Sequence, residues 1–280
     1  MIIVADSGGT KTVWYYSSPE KSGSLITSGL HPQSLSRFSP QDTETIMPLM
    51  VSSGRLYFYG TGCYHSDHRQ EVYLWLKQRF PLFEIIVESD LIGSATALHG
   101  TNSGLVGILG TGSSLGVWNG SQLVLPIPSL GWMIGDPGSG TDIARRFFTQ
   151  WYSRKFPDNL NQILEQNPAF DSAPMLIEKI YSSPSPTKDI AAYCKEISSL
   201  IHFDPIRRIV QYSFHDFFDY YEHVLKQYAS LPLAFSGGIA HAFKPILSAV
   251  AQARGYNIFA VIDNPIKQLA AIHFSEYRSI

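Results

Sequence analysis

Three short turns built from glycine and hydroxyl side chains each follow an apolar run: Asp6-Ser7-Gly8-Gly9-Thr10-Lys11-Thr12, Gly110-Thr111-Gly112-Ser113-Ser114 and Ser236-Gly237-Gly238-Ile239-Ala240. Glycine lets backbone N–H groups approach an anion closely, and Ser or Thr hydroxyls add donors, which suits phosphate. Any one of them alone reads as an ordinary hairpin or strand–helix turn; three in this order shift the balance toward phosphate. Three carboxylates stand nearby in sequence. Asp6 ends the first apolar run, where it either holds Mg²⁺ through water or bonds its own turn backbone. Asp90 precedes a small-residue helix, as the acceptor of a substrate hydroxyl proton or as that helix's N-cap. Asp136 lies in Leu130-Gly131-Trp132-Met133-Ile134-Gly135-Asp136-Pro137-Gly138-Ser139-Gly140. There it can bond a polyol, with Trp132 offering an apolar face, or simply close a tight loop ahead of a helix.

The elements that must position these residues alternate. Residues 2–5 and 12–16 read as strands around the first turn, and 55–59 as another short strand. A helix is expected over 69–80, with Val72, Tyr73, Leu76 and Phe80 at helical spacing. A buried strand at 83–87 and a helix at 91–99 follow. Residues 105–109 and 115–118 repeat the strand–turn–strand pattern of the chain's start, which suggests two α/β domains of related fold joined near residues 100–104. Further on, helices are expected over 139–155 and 244–253, and one beginning at Asp204-Pro205 with Asp204 as its cap. Strands at 231–235 and 257–262 and a closing helix at 266–277 complete the pattern. Residues 156–190, rich in Pro, Ser and Asn, read as an irregular insertion.

Composition narrows the classes. The 280 residues carry 21 Lys+Arg and 23 Asp+Glu, a net charge of −2, which disfavours nucleic acid or an anionic membrane as partner. At 44% hydrophobic and 16% charged, the chain is globular and long enough for one large or two medium domains. Two cysteines, Cys63 and Cys194, exclude a disulfide framework or a four-thiolate zinc site. The nine histidines have no metal-ligand spacing, and no Gly-x-Ser-x-Gly elbow is present. Without a signal peptide or spanning run, the expected location is the cytoplasm.

In this order the motifs resemble those of the N-acetylglucosamine kinase branch of the BadF/BadG/BcrA/BcrD ATPase family, within the actin / sugar kinase / heat-shock-70 superfamily. Residues 6–12 and 110–114 are similar to its two phosphate motifs and 236–240 to its adenosine motif. Glu88-Ser89-Asp90-Leu91 is similar to the segment with the catalytic acid, and residues 131–139 to the sugar-side loop. The resemblance implies two ribonuclease-H-like domains with a cleft: 1–100 plus 266–280, and 101–265 with a helical insertion. It implies an ATP-dependent kinase acting on the 6-hydroxyl of an N-acetyl amino sugar, N-acetylglucosamine first. Asp90 would be the base and Asp6 the Mg²⁺-orienting carboxylate. Gly8, Gly9, Thr10, Lys11, Gly110, Thr111 and Gly112 would serve the phosphates, and Gly237 and Gly238 the rest of the nucleotide. His31, Ser113, Ser114, Gly131, Trp132, Met133 and Asp136, with Asp90, would serve the sugar. Dimers are common in similar proteins. The chain departs from the family at His31, usually Asn, at Met133 and Pro137 in the sugar loop, and at Lys267-Gln268, usually Gly-Ala. The alternatives are an activator-type ATPase, which needs cluster cysteines at places other than 63 and 194, or a non-catalytic nucleotide or sugar sensor.

Overall fold

The computed structural model describes residues 1–9 and 11–278; Thr10 of the first turn lies outside the described residues. By contact the chain forms two compact units, one of Met1–Asn102 with Trp118–Leu123 and the segment from Asn264, the other of Ser103–Val117 with Val124–Asp263. The first unit contains strands β1 (Ile2–Ser7), β2 (Lys11–Ser17), β3 (Ser22–Ser28), β4 (Gly54–Gly60) and β5 (Phe83–Ser89) in the order β3-β2-β1-β4-β5. β2 is antiparallel to β1 and β3, whereas β4 is parallel to β1 and β5.

The apolar start of the chain is explained by burial on both faces of this sheet. Ile3 and Ala5 join Trp14, Phe58, Phe80 and Phe83 in one cluster, while Ile2 and Val4 join Tyr57, Tyr59, Ile266 and Leu269 in another. The second cluster is the seat of the closing helix Ile266–Arg278. His273 of that helix stacks on Tyr57 with ring centroids 3.7 Å apart, and its Nε2 is 2.8 Å from the Tyr59 hydroxyl.

The second sheet contains β6 (Gly104–Leu109), β7 (Ser113–Trp118), β8 (Leu123–Val124), β9 (Leu233–Ser236) and β10 (Ile258–Ile262). Its order, β8-β7-β6-β9-β10, is the same permutation as the first. The echo between residues 2–14 and 105–118 is therefore a repeat of topology. Helices Gly140–Tyr152, Asp204–Tyr220 and Lys244–Ala253 contribute most of the helical side chains to its core, from Ile143 and Phe147 to Phe217 and Leu247.

Several local expectations change. Residues 156–190 are helical in three pieces, Asp158–Gln166, Ala173–Ser182 and Pro186–Ala192. Pro174 and Pro186 stand in first turns, where proline initiates a helix instead of breaking it. Asp204 is already inside its helix, Phe203 occupies the cap position, and the Asp204 carboxylate meets Arg207. Strand β3 and the helix Pro40–Met50 carry too few buried apolar residues to show a period; the helix start is marked by the Ser39/Asp42 capping box and by Pro40 at its first position. Among the described residues, no helix is long and apolar enough to cross a membrane.

Candidate active site

Strand register brings the first group of residues together. Ser7 of β1 is opposite Gly60 of β4, and Gly60 is opposite Ser89 of β5. The next residues, Gly8, Thr61 and Asp90, therefore leave the same carboxyl edge of three parallel strands, the edge where open α/β sheets bind ligands. Thr61 N–H donates to Ser7 O at 2.8 Å, tying two of these exits together. Ser7 Oγ is 2.8 Å from Thr12 Oγ1 and accepts Leu30 N–H at 2.8 Å, so the first turn is braced from below. Gly8 N–H closes the turn on Lys11 O at 3.0 Å. A Cβ on Gly9 would meet nothing within 4 Å, so the glycine there leaves open space above the turn.

Two acids occupy this edge. Asp6 is buried, and burial, with Asp90 as a nearby like charge, pushes its pKa up to about 7. Asn264 Nδ2 donates to Asp6 Oδ2 at 2.9 Å, and Lys11 lies close enough to offset part of the effect. Asp90 is also raised by burial, against bonds from the Thr61 hydroxyl and the Leu91 N–H. Its capping role is excluded: Ser89 is the N-cap of the helix Asp90–His99, and Ser89 Oγ accepts Ile92 N–H at 3.3 Å. Two close carboxyls with raised proton affinity, both hard oxygen donors, are a donor set that a small dication would suit. Among the described residues, no group of three or more His, Cys, Asp or Glu side chains is placed to hold a metal ion.

His31, also in the first unit, caps the 3₁₀ turn Pro32–Arg37 by accepting Gln33 N–H on Nδ1 at 3.2 Å. That leaves the proton of the neutral ring on Nε2, and burial with His68 nearby lowers the His31 pKa. A side chain on Gly62, whose φ is 78°, would come within 2.5 Å of His31 Nε2.

In the second unit the two glycine turns abut. β6 and β9 are parallel neighbours, Ile108 opposite Ser236, so Gly110 and Gly237 follow adjacent strand ends. Gly237 has φ 116°, and a Cβ there would lie 2.3 Å from Leu109 O; only glycine fits. Gly110 O and Thr111 O accept the N–H groups of Gly140 and Thr141 at 2.8 and 3.3 Å, which sets the turn on the start of the helix Gly140–Tyr152.

The sugar-loop acid is engaged in this scaffold. Asp136, at φ 53°, accepts Ser129 Oγ at 3.0 Å and a bond from the Ser113 backbone, and Oδ2 would be 2.7 Å from a Cβ on Gly112. Ser113 Oγ donates to Pro137 O at 2.7 Å. Asp136 and Ser113 thus lock the loop against the second turn, and burial raises the Asp136 pKa. Gly131, at φ 72°, opens the short helix Gly131–Ile134, on which Trp132 is partly exposed and Met133 is 73% exposed. Ser114 and Gly238 are reachable from solvent, and Lys267 and Gln268 are exposed on the first turn of the closing helix. Sequence reasoning missed Thr61 and Asn264; each binds an acid through tertiary contact, and only the β4 end hinted at Thr61.

No protein-family model matches the chain, and comparison with curated proteins gives no match. Solved structures do match. A protein of Porphyromonas gingivalis, provisionally named an N-acetylglucosamine kinase, is 29% identical with a TM-score of 0.88, covering 99% of this chain and 100% of its own. A Chromobacterium violaceum protein of the same provisional name is 16% identical with a TM-score of 0.68, over 95% of this chain and 96% of its own. A ROK family glucokinase from Streptomyces griseus, in complex with glucose and AMPPNP, is 12% identical with a TM-score of 0.55, over 97% of this chain and 98% of its own. With two five-stranded sheets of one strand order and these neighbours along its whole length, the chain has the fold of the actin-like ATPase sugar kinases.

Proposed function

We propose that the protein is an ATP-dependent kinase that phosphorylates the 6-hydroxyl of an N-acetyl amino sugar, with N-acetylglucosamine the first candidate. The observation that carries this reading is the shared strand edge from which Gly8, Thr61 and Asp90 emerge beside Asp6. The full-length likeness to a protein named for that activity supports it.

Phosphoryl transfer asks a protein mainly for alignment and charge neutralisation. Asp90, whose proton affinity is raised by burial, takes the proton of the attacking hydroxyl, a step that contributes about 10²–10⁴-fold. Thr61 keeps the Asp90 carboxylate on that task through its hydroxyl bond. The backbone N–H groups around Gly8–Gly9 and Gly110–Gly112, with Lys11, serve the phosphates, and Gly237–Gly238 the rest of the nucleotide. Asp6 would hold Mg²⁺ through water. The metal, when bound, supplies charge neutralisation at the transferred phosphoryl group. His31, Ser113, Ser114, Gly131, Trp132 and Met133 serve the sugar; Asp136 does so indirectly, by fixing the loop. On this reading the reaction takes place in the cytoplasm, where ATP is supplied.

An activator-type ATPase gains no support. Cys63 and Cys194 are both buried, each in a different hydrophobic core, so neither is one of a close pair of cysteines. The test is ADP release with Mg·ATP across N-acetylglucosamine, N-acetylmannosamine, N-acetylmuramic acid, glucosamine, glucose and a no-sugar control. Release restricted to one or two N-acetyl sugars is the expected result. Equal release without sugar would replace the kinase by an ATPase.

A further inference from the structure

Asp6 is steadied by a residue 258 positions away in sequence. Asn264 uses both halves of its amide: Nδ2 donates to Asp6 Oδ2 at 2.9 Å, and Oδ1 accepts Ile266 N–H at 2.8 Å. The second bond is a helix cap, for which Asp, Ser or Thr would do as well. The first requires a donor that reaches as far as an amide, and among those cap residues only Asn supplies it.

The surroundings hold this amide in place. Pro265 fixes the backbone on one side. The closing helix that follows is seated through Ile266 and Leu269 against Ile2 and Val4, on the same strand that carries Asp6. The donor is also neutral. A lysine in its place would satisfy Asp6 but cancel the charge a dication needs, whereas an amide sets the carboxylate's rotation and leaves its charge intact.

We propose that Asn264 is a positioning residue for Asp6, holding that carboxylate in the orientation in which it serves the magnesium–nucleotide complex, with helix capping its lesser role. This rests on the kinase reading above. Its test uses the full chain carrying Asn264→Ser, which keeps a good cap but is too short to reach Asp6, and Asn264→Ala, which loses both bonds.

Three quantities are measured: Tm, the Kd of ATP with and without Mg²⁺ by calorimetry, and kcat and KM in the sugar assay. For Asn264→Ser the expected result is a Tm lowered by no more than about 4 °C. The factor by which Mg²⁺ tightens ATP falls about tenfold, and kcat falls at least as far with the sugar KM unchanged, as for loss of one well-placed charge-assisted bond. Asn264→Ala shows the same losses and a lower Tm. If serine restores both the magnesium effect and kcat to wild type, Asn264 is a cap only and the proposal is overturned. It is equally overturned if wild-type protein binds ATP alike with and without Mg²⁺. Should wild type bind Mg·ATP yet release no ADP with any sugar, the kinase reading fails, and the calorimetric comparison still decides the role of Asn264.

Discussion

The two sheets share one strand order but finish their first hairpin turns differently. Beside the first turn two acids, Asp6 and Asp90, are close together, held by Asn264 and Thr61 and raised in pKa. At the second, the acid is already spoken for, because Asp136 accepts bonds from Ser113 and Ser129 and holds the loop shut. The glycines divide the same way. Gly9 has free space above it, whereas Gly237 is pressed on Leu109 O, where no side chain fits. On the kinase reading, one topology used twice places the pair of raised acids in the first unit.

Asp90→Asn should separate the halves most sharply. We expect kcat to fall about 10²–10⁴-fold while calorimetry finds sugar and nucleotide still bound. A loss of only a few-fold would move the base elsewhere and erase the contrast.

Next in size is the pair Gly237→Ala and Gly9→Ala. The first forces a Cβ against a carbonyl at positive φ and should cost about 2–4 kcal/mol in denaturant unfolding. The second should unfold within about 0.5 kcal/mol of wild type yet bind Mg·ATP more weakly. Equal stability losses would contradict the division of roles.

Asp6→Asn tests the poised acid in the absence of ligand. A carboxyl whose folded pKa lies near 7, above its ordinary 3.8, favours folding at low pH and loses that advantage as pH rises through about 4 to 7. Asparagine does not titrate, so the variant should be the more stable form at pH 8, by on the order of 2–4 kcal/mol. That gain should shrink toward pH 5. Thermal melts at both pH values read this directly, and a variant less stable than wild type at pH 8 would refute it.

The smallest effect expected is that of Asp136→Asn. The amide oxygen still accepts one of the two bonds, so the sugar KM should rise no more than about fivefold, with kcat unchanged. A collapse of kcat would make Asp136 chemically equivalent to Asp90.

Much of the site was legible because glycine turns after apolar runs are local signals, and the three parallel exits follow once Ser7, Gly60 and Ser89 are recognised as strand ends. Asp90 stayed ambiguous in sequence since base and cap look alike; a neighbouring serine resolved it by taking the cap. The short helices of 156–190 were hidden because each is brief and buries little: Asp158–Gln166 buries Leu160, Asn161 and Leu164, Ala173–Ser182 buries Leu176 and Pro186–Ala192 buries none. The Thr61–Asp90 and Asn264–Asp6 bonds left no trace in any local pattern, being made only when strands pair and the closing helix docks.

The dependence of Asp6 on Asn264 also orders events during synthesis. Domains tend to form as the chain emerges, N-terminal parts first. The strand carrying Asp6 is translated some 258 residues before its partner amide, and the face made by Ile2, Val4, Tyr57 and Tyr59 waits as long for Ile266 and Leu269. A nascent chain stalled short of that point displays a bare apolar face, which a chaperone would recognise, and a carboxylate without its guide. The guide for Asp6 and the cover for that apolar face are therefore made together, when the closing helix is translated.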